Sequence, residues 1–283
     1  MTLEANDKMA PVVRRPRSKE KREEVLARNQ GDRAGVQAFE RGLGVIRAFS
    51  VAQRPLTLSE IATMTGQPRA TTRRLLGSLL RLGYASTDGQ TFQLLPAVLE
   101  LGYAYLSSNQ LWDRIQPYMN EVMIELNESS SVGVLELPDV VYVARAQAQR
   151  IVQTMAIGIG SKVPAAVSAM GRLLLAYEPR QKVEEYIAQW PLQMYTDKTI
   201  VTPSDFFAEL DRARDQGWIL VDEELELGLR SLAVPLRDRS GNVIAAMNVG
   251  AVAARASVDQ MVSRFLPVLR EAANKANHAL SFG

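Results

Sequence analysis

Four arginines, Arg69, Arg73, Arg74 and Arg81, fall together on a helical wheel, opposite Leu75, Leu76, Leu79, Leu80 and Leu82. Thr72 falls among the leucines, Thr71 and Ser78 lie at the edge, and Ala70 lies beside the arginines. An arginine face with small neighbours at the start of a helix suits a DNA major groove. A guanidinium holds a phosphate or grips a guanine edge bidentately, and a residue as small as alanine lets the backbone approach. Arg69, Ala70, Thr71, Arg73, Arg74 and Ser78 are the candidate contacts to double-stranded DNA. The competing reading is a solvated charged face.

Other chemistries have little to work with. The chain has no cysteine, which excludes disulfides, thiol nucleophiles, iron–sulfur clusters and cysteine zinc sites. Its one histidine, His278, stands five residues from the end, so Ser-His-Asp catalysis and multi-histidine metal sites are not expected. Gly158-Ile-Gly160-Ser-Lys162 lacks the spacing of a phosphate-binding loop and reads as a turn. Ser161 and Ser168 have no neighbouring base and no GxSxG elbow. Asp222, Glu223, Glu224 and Glu226 form an acidic knot that reads as a charged loop before a strand rather than a metal site. No catalytic residue, metal or cofactor is expected.

Charge is distributed unevenly. The net charge is +2, but residues 1–35 carry nine Lys/Arg against six Asp/Glu, and residues 36–95 carry seven against three. The remainder is net acidic. A polyanion partner is therefore expected for the front only.

The elements needed to position the arginines are legible. Residues 1–35 read as a flexible basic tail interrupted by Pro11 and Pro16. Residues 36–50 form a helix through Phe39, Leu43, Ile46, Ala48 and Phe49. Thr57-Leu-Ser-Glu60 fits a capping box that opens a short helix over 58–64. The arginine helix runs from Pro68 to Leu82, with Gly83 as its cap. Asp88-Gly89 between two short strand-like runs signals a hairpin. Three helices followed by a hairpin make residues 36–95 a winged helix-turn-helix.

Residues 96–110 read as a linker helix with apolar residues on too many sides for a lone surface helix, including Val98, Leu99, Leu101, Tyr103, Tyr105 and Leu106. A partner subunit or packing within the chain would cover them equally well. Residues 111–283 read as an α+β domain on a mostly antiparallel sheet. Its expected helices cover 111–128, 165–177, 179–189, 203–216 and 257–280. Its expected strands cover 131–137, 140–146, 151–157, 228–236 and 242–249. Small residues at 165–171 allow close approach by a sheet or by a ligand, whose carboxylate a helix N-terminus would suit. Alternation groups Leu229 with Ser231, and Ile244 with Ala246 and Asn248. Arg145, Arg172 and Arg230 could neutralise an acid or hold the domain together.

Three stretches resemble the IclR family of bacterial transcription regulators: Phe39–Phe49, Leu56–Ala62 and Pro68–Leu76. Gly217–Glu224, Gly228–Pro235 and Val163–Arg172 are similar to its effector domain, so the likeness spans roughly 36–280. Ser168–Arg172, Asp222–Gly228, Met247–Gly250 and Arg264–Pro267 look most like the branch regulating protocatechuate and 4-hydroxybenzoate catabolism. The resemblance implies a winged helix-turn-helix, a dimerising linker helix and a GAF-like effector domain. It places effector positions at Val152, Met155, Ala169, Met170, Leu229, Ser231 and Asn248. Where relatives that bind small keto acids carry an Asp and a second serine, this chain has Val221 and Gly250, which implies a roomier, less polar pocket.

The expected protein is a ligand-responsive regulator, activator or repressor, of aromatic-acid catabolism genes. Its expected partners are operator DNA, a small aromatic acid, and itself as a dimer or dimer of dimers. The alternatives are a regulator answering a small aliphatic acid and, from another class, an enzyme with a nucleic-acid-binding arm. With no apolar run near the ~18 residues of a membrane span and no secretory leader, a cytoplasmic location is expected.

Overall fold

The computed structural model describes residues 36–108, 111–148 and 157–281. The expected tail over 1–35 and most of the expected strand over 151–157 lie outside the described residues, as do Val152 and Met155. Contacts divide the chain into two units between Glu100 and Leu101.

The first unit holds α1 (Gln37–Ala52), β1 (Leu56–Thr57), α2 (Leu58–Thr65), α3 (Arg69–Arg81), β2 (Ala85–Thr87) and β3 (Thr91–Leu94). The capping box forms as expected. Glu60 N donates to Thr57 Oγ1 at 3.3 Å, and Thr57 N donates back to Glu60 Oε2 at 2.8 Å. Arg54 also donates to Glu60 at 2.7 Å, and these donors hold the Glu60 carboxyl down to about 2. Gly83, at φ +76°, closes α3: its N–H reaches Leu80 O, and Tyr84 N reaches Leu79 O. This double closure needs a left-handed residue, which glycine supplies without a Cβ penalty. β1 was not foreseen. It pairs with β3 to give a three-stranded antiparallel sheet, order β1-β3-β2. The core centres on Val45, Phe49, Leu56, Ile61, Leu76 and Leu79. Two expected core residues are exposed instead: Phe39 near the start of α1 and Leu82 at the end of α3. A wheel assigns a face but not whether a neighbour reaches its ends.

The first unit ends in a 3-10 turn (Pro96–Val98) and the start of α4 (Leu99–Ser108), which spans the boundary. No residue of α4 is buried, and Leu99, Leu101, Tyr103 and Tyr105 are exposed.

The second unit opens with α5 (Leu111–Leu126), β4 (Ser130–Glu136), β5 (Asp139–Ala146), β6 (Lys162–Pro164) and a 3-10 turn (Ala165–Val167). There follow α6 (Ala169–Ala176), α7 (Arg180–Gln189), α8 (Pro203–Gln216), β7 (Ile219–Asp222), β8 (Leu229–Arg237) and β9 (Val243–Val252). The chain ends with α9 (Val258–Gln260), a π turn (Met261–Phe265) and α10 (Leu266–Ser281). The six strands form one antiparallel sheet, order β6-β5-β4-β9-β8-β7. α5 and α10 cover one face through Ile115, Met119, Leu269 and Ala276. α6, α7 and α8 cover the other through Met170, Leu173, Val183, Phe206 and Leu210.

The helix expected over 165–177 is broken. Ser168 is extended (φ −109°, ψ 144°), and its Oγ accepts from Gly171 N at 3.1 Å, so α6 begins at Ala169. Gly171 is obligatory here for lack of space: a Cβ would lie 2.3 Å from the Ala165 carbonyl oxygen.

Arg172, fully buried on α6, fixes this corner. Its Nε donates to Ala166 O at 2.7 Å, and its Nη atoms grip both oxygens of Glu224. Glu224 also accepts from Ile200 N at 2.9 Å. Breaking such a pair leaves an uncompensated buried charge. Arg172→Met should cost about 3–5 kcal/mol of stability in urea denaturation of the full chain. Arg172→Met with Glu224→Leu should recover part of that loss. Equal loss in both variants would mean that the bonds to Ala166 and Ile200, not the charge pairing, carry the effect.

Candidate functional site

On α3 the predicted polarity is present. Thr72 is buried and donates to Pro68 O at 3.2 Å, while Arg69, Ala70, Arg73 and Arg74 are exposed and Thr71 and Ser78 half-buried. Among the described residues Arg69, Arg73 and Arg74 form no ion pair, whereas Arg54 is occupied by Glu60. The first turn of α3 carries no acidic residue and no side-chain cap, so its N–H groups and positive end are available to an anion. Ser78 is partly committed: it donates to Arg74 O at 3.2 Å and accepts from Arg81 at 3.1 Å. The hairpin tip is tied by Asp88. Asp88 Oδ1 accepts from Gln90 N at 2.9 Å and Thr91 N at 2.6 Å, which holds its carboxyl below the usual range.

In the second unit a cavity of about 130 Å³ lies between the sheet and the start of α6. Five of the seven effector positions, Ala169, Met170, Leu229, Ser231 and Asn248, line it together. Val221 and Gly250 line it too, and a Cβ on Gly250 would meet nothing closer than 3.9 Å. Val163, Val167, Leu225 and Ile157 add apolar wall. Asn248 Nδ2 donates to Ser231 Oγ at 2.9 Å, so two residues 17 apart in sequence form one polar centre on adjacent strands.

The three candidate arginines separate. Arg172 is consumed by Glu224. Arg230 donates to Asp222 at 2.5 Å and to the Ala253 and Ala256 carbonyls at 2.8 Å. Arg145 alone of the three lines the cavity. Three members of the acidic knot are structural: Glu224 serves Arg172, Asp222 and Glu223 serve Arg230, and Lys198 meets Glu223 at 2.6 Å. Among the described residues no group of three His, Asp or Glu is placed to hold a metal ion.

Sequence reasoning missed Tyr142, Ser131, Ser129 and Glu128 in the lining. Tyr142 and Arg145 are three apart, which on a regular strand means opposite faces. The β4–β5 register shifts between Val132 and Gly133: Ser131 pairs with Arg145, but Gly133 pairs with Tyr142. That bulge turns both side chains to the cavity. No local residue pattern announces it.

The family model described as "Bacterial transcriptional regulator IclR C-terminal" matches residues 103–278, and that of the "IclR helix-turn-helix domain" matches residues 38–89. The chain is 41% identical over 250 residues to the Pca regulon regulatory protein of Pseudomonas putida, covering 88% of this chain and 86% of the relative. It is 32% identical to the p-hydroxybenzoate hydroxylase transcriptional activator of Acinetobacter baylyi, covering 85% and 90%. A crystal structure of a Rhodococcus sp. RHA1 protein described as a transcriptional regulator superposes with TM-score 0.78 at 41% identity, covering 87% of this chain and 99% of that one. No helix among the described residues is long and apolar enough to cross a membrane. A winged helix-turn-helix joined to this sheet-and-helix unit, matched by both family models over most of its length, places the chain in the IclR family of bacterial transcriptional regulators.

Proposed function

We propose that this chain is a ligand-responsive, DNA-binding regulator of aromatic-acid catabolism genes, and not an enzyme. The observation that carries the reading is the cavity. Its volume is of the order of the ~150 Å³ that admits benzene into a protein core, its walls are mostly apolar, and Arg145, Ser131, Ser231 and Asn248 are among its polar lining residues. The relative named as the p-hydroxybenzoate hydroxylase transcriptional activator supports a benzoate-type effector. In this reading Ala169, Met170, Leu229, Ser231 and Asn248 contact the effector, joined by Val152 and Met155. Arg69, Ala70, Thr71, Arg73, Arg74 and Ser78 face operator DNA in the cytoplasm, with residues 36–95 as the reading domain, 96–110 as the linker, 111–283 as the effector domain and 1–35 as a basic tail.

A homodimer or dimer of dimers completes the reading. Leu99, Leu101, Tyr103 and Tyr105 on α4 are exposed in the single chain, and a two-fold pair would set two reading helices about 34 Å apart, one turn of DNA. Static light scattering should find at least a dimer at micromolar concentration without DNA. A strict monomer would remove the dimer from the proposal.

On DNA, a duplex selected by the protein from a random pool serves as probe. Arg73→Ala or Arg74→Ala should weaken it by roughly 1–3 kcal/mol if the contact is to a base. A phosphate contact would weaken all duplexes alike and lower the salt slope by about one. Unchanged affinity in the double variant would remove α3 as the reader.

On the effector, protocatechuate or 4-hydroxybenzoate should raise the melting temperature of the full chain. At a concentration about 100 times Kd the stabilisation is about 2.7 kcal/mol. If glyoxylate or pyruvate stabilises the protein and neither aromatic acid does, the aliphatic-acid reading replaces this one.

A further inference from the structure

Rows of cross-strand partners show how the cavity floor is organised. Arg145 on β5 pairs with Ser131 on β4, and Ser131 pairs with Asn248 on β9. Paired residues project from the same face of a sheet, so a polar row crosses the floor beneath α6 and ends at the Asn248–Ser231 hydrogen bond. At the Arg145 end, its Nη1 donates to Ser131 Oγ at 2.9 Å, while its buried Nε has no hydrogen-bond partner. Among the described residues Arg145 pairs with no carboxylate. Tyr142 lines the same end, its phenol pushed up to about 12 by burial, so it is a neutral hydroxyl at any physiological pH. Burial lowers the Arg145 pKa as well. A buried donor left unpaired is costly unless something else satisfies it.

We infer that Arg145 is the anchor for the effector's carboxylate, and that the Asn248–Ser231 pair reads a hydroxyl at the far end of the ring. The inference rests on the aromatic-acid reading above and goes further: it assigns the two ends of the ligand. Arg145 Nε and a guanidinium Nη form the planar fork that matches a carboxylate. Ser131 sits beside the fork. The ring lies against Met170 and Leu229. Ser231 Oγ, already accepting from Asn248, retains its proton to donate to a ring oxygen. The alternative anchor, the N–H groups at Ala169 and Met170, carries no formal charge. Arg145 also has a framed backbone: Gln116 Nε2 on α5 donates to its carbonyl at 3.3 Å.

Calorimetry on the full-length protein tests this with four probes: 4-hydroxybenzoate, its neutral amide 4-hydroxybenzamide, benzoate, and benzamide. Wild type should bind 4-hydroxybenzoate at least tenfold more tightly than the amide. Arg145→Gln should lose roughly tenfold to a hundredfold for both acids and far less for the amides, and Arg145→Lys should restore part of the loss. Ser231→Ala should weaken 4-hydroxybenzoate and leave benzoate as it was. Should Arg145→Gln fold poorly, the acid-against-amide ratio in wild type and the Arg145→Lys variant decide the matter. If wild type binds 4-hydroxybenzoate but Arg145→Gln binds it equally, or loses acid and amide alike, Arg145 is not the anchor although the aromatic reading stands. If wild type binds neither acid, the aromatic reading itself falls and this inference with it.

Discussion

The effector unit is organised around one buried guanidinium. Arg172 lies inside the protein with no exposed surface and reaches four separate segments. It bonds the Ala166 carbonyl of the 3-10 turn and the Glu224 carboxylate of the β7–β8 loop. It touches Ile200 through Glu224, and its guanidinium carbon lies 5.9 Å from the centre of the Phe206 ring on α8. Desolvating a guanidinium is expensive, and only complete pairing offsets it. Because the pair is satisfied only in one arrangement, the start of α6 is held over the sheet and the β7–β8 loop is held against it. Leu225 and Leu229, on that loop and the strand it enters, are thereby delivered to the cavity wall. The cavity is what remains between these fixed parts.

The reading unit relies on local closures. α2 is started by Thr57 and Glu60, α3 is stopped by Gly83, and the hairpin is tied by Asp88. These bonds satisfy helix ends and a turn with side chains and glycine already present in the same few residues. Among the described residues they leave Arg69, Arg73 and Arg74 without an ion pair, while Arg81 donates to Ser78. Arg54 shows the contrast: it is spent on Glu60. An unpaired guanidinium on an exposed face keeps its full field for a polyanion, whereas a paired one must first break a contact.

Signals confined to a few residues were readable: the capping box, Asp88-Gly89, Gly83, and the apolar stripe of α3. β1, β6 and β7 were not, because strands of two to four residues show no period. The break at Ser168 escaped notice because Ala165–Ala169 reads as continuous helix, while the cause is the close approach of Ala165 to Gly171. Ala169, Met170, Leu229, Ser231 and Asn248 were reached through the family resemblance and do converge on one cavity. Arg145 could not be separated from Arg172 and Arg230 in sequence, since their partners Glu224 and Asp222 are respectively 52 and 8 residues away. Tyr142 was hidden by the bulge, which exists only once β4 and β5 are paired.

Magnitudes decide which acid suits this cavity. An aromatic group buries about 150–250 Å², and at about 25 cal/mol per Å² the lower figure is worth about 4 kcal/mol. With Arg145 as the proposed anchor, a two- or three-carbon acid would meet the same guanidinium but leave most of the apolar lining without partner atoms, forfeiting both transfer and dispersion terms. That difference corresponds to at most about a thousandfold in affinity. A carboxylate alone therefore discriminates little, because every candidate acid carries one. In the proposed reading the wall would discriminate size, since Val221 and Gly250 line it without charge or hydroxyl. Among ligands of the right size an apolar wall cannot strongly reject an extra hydroxyl or its absence; only a polar centre that would otherwise go unsatisfied does so. The Asn248–Ser231 pair is the polar centre on the floor away from Arg145, so in the proposed reading the choice among ring acids would fall to two strands, β8 and β9, whose register is set by the same sheet that carries Arg145.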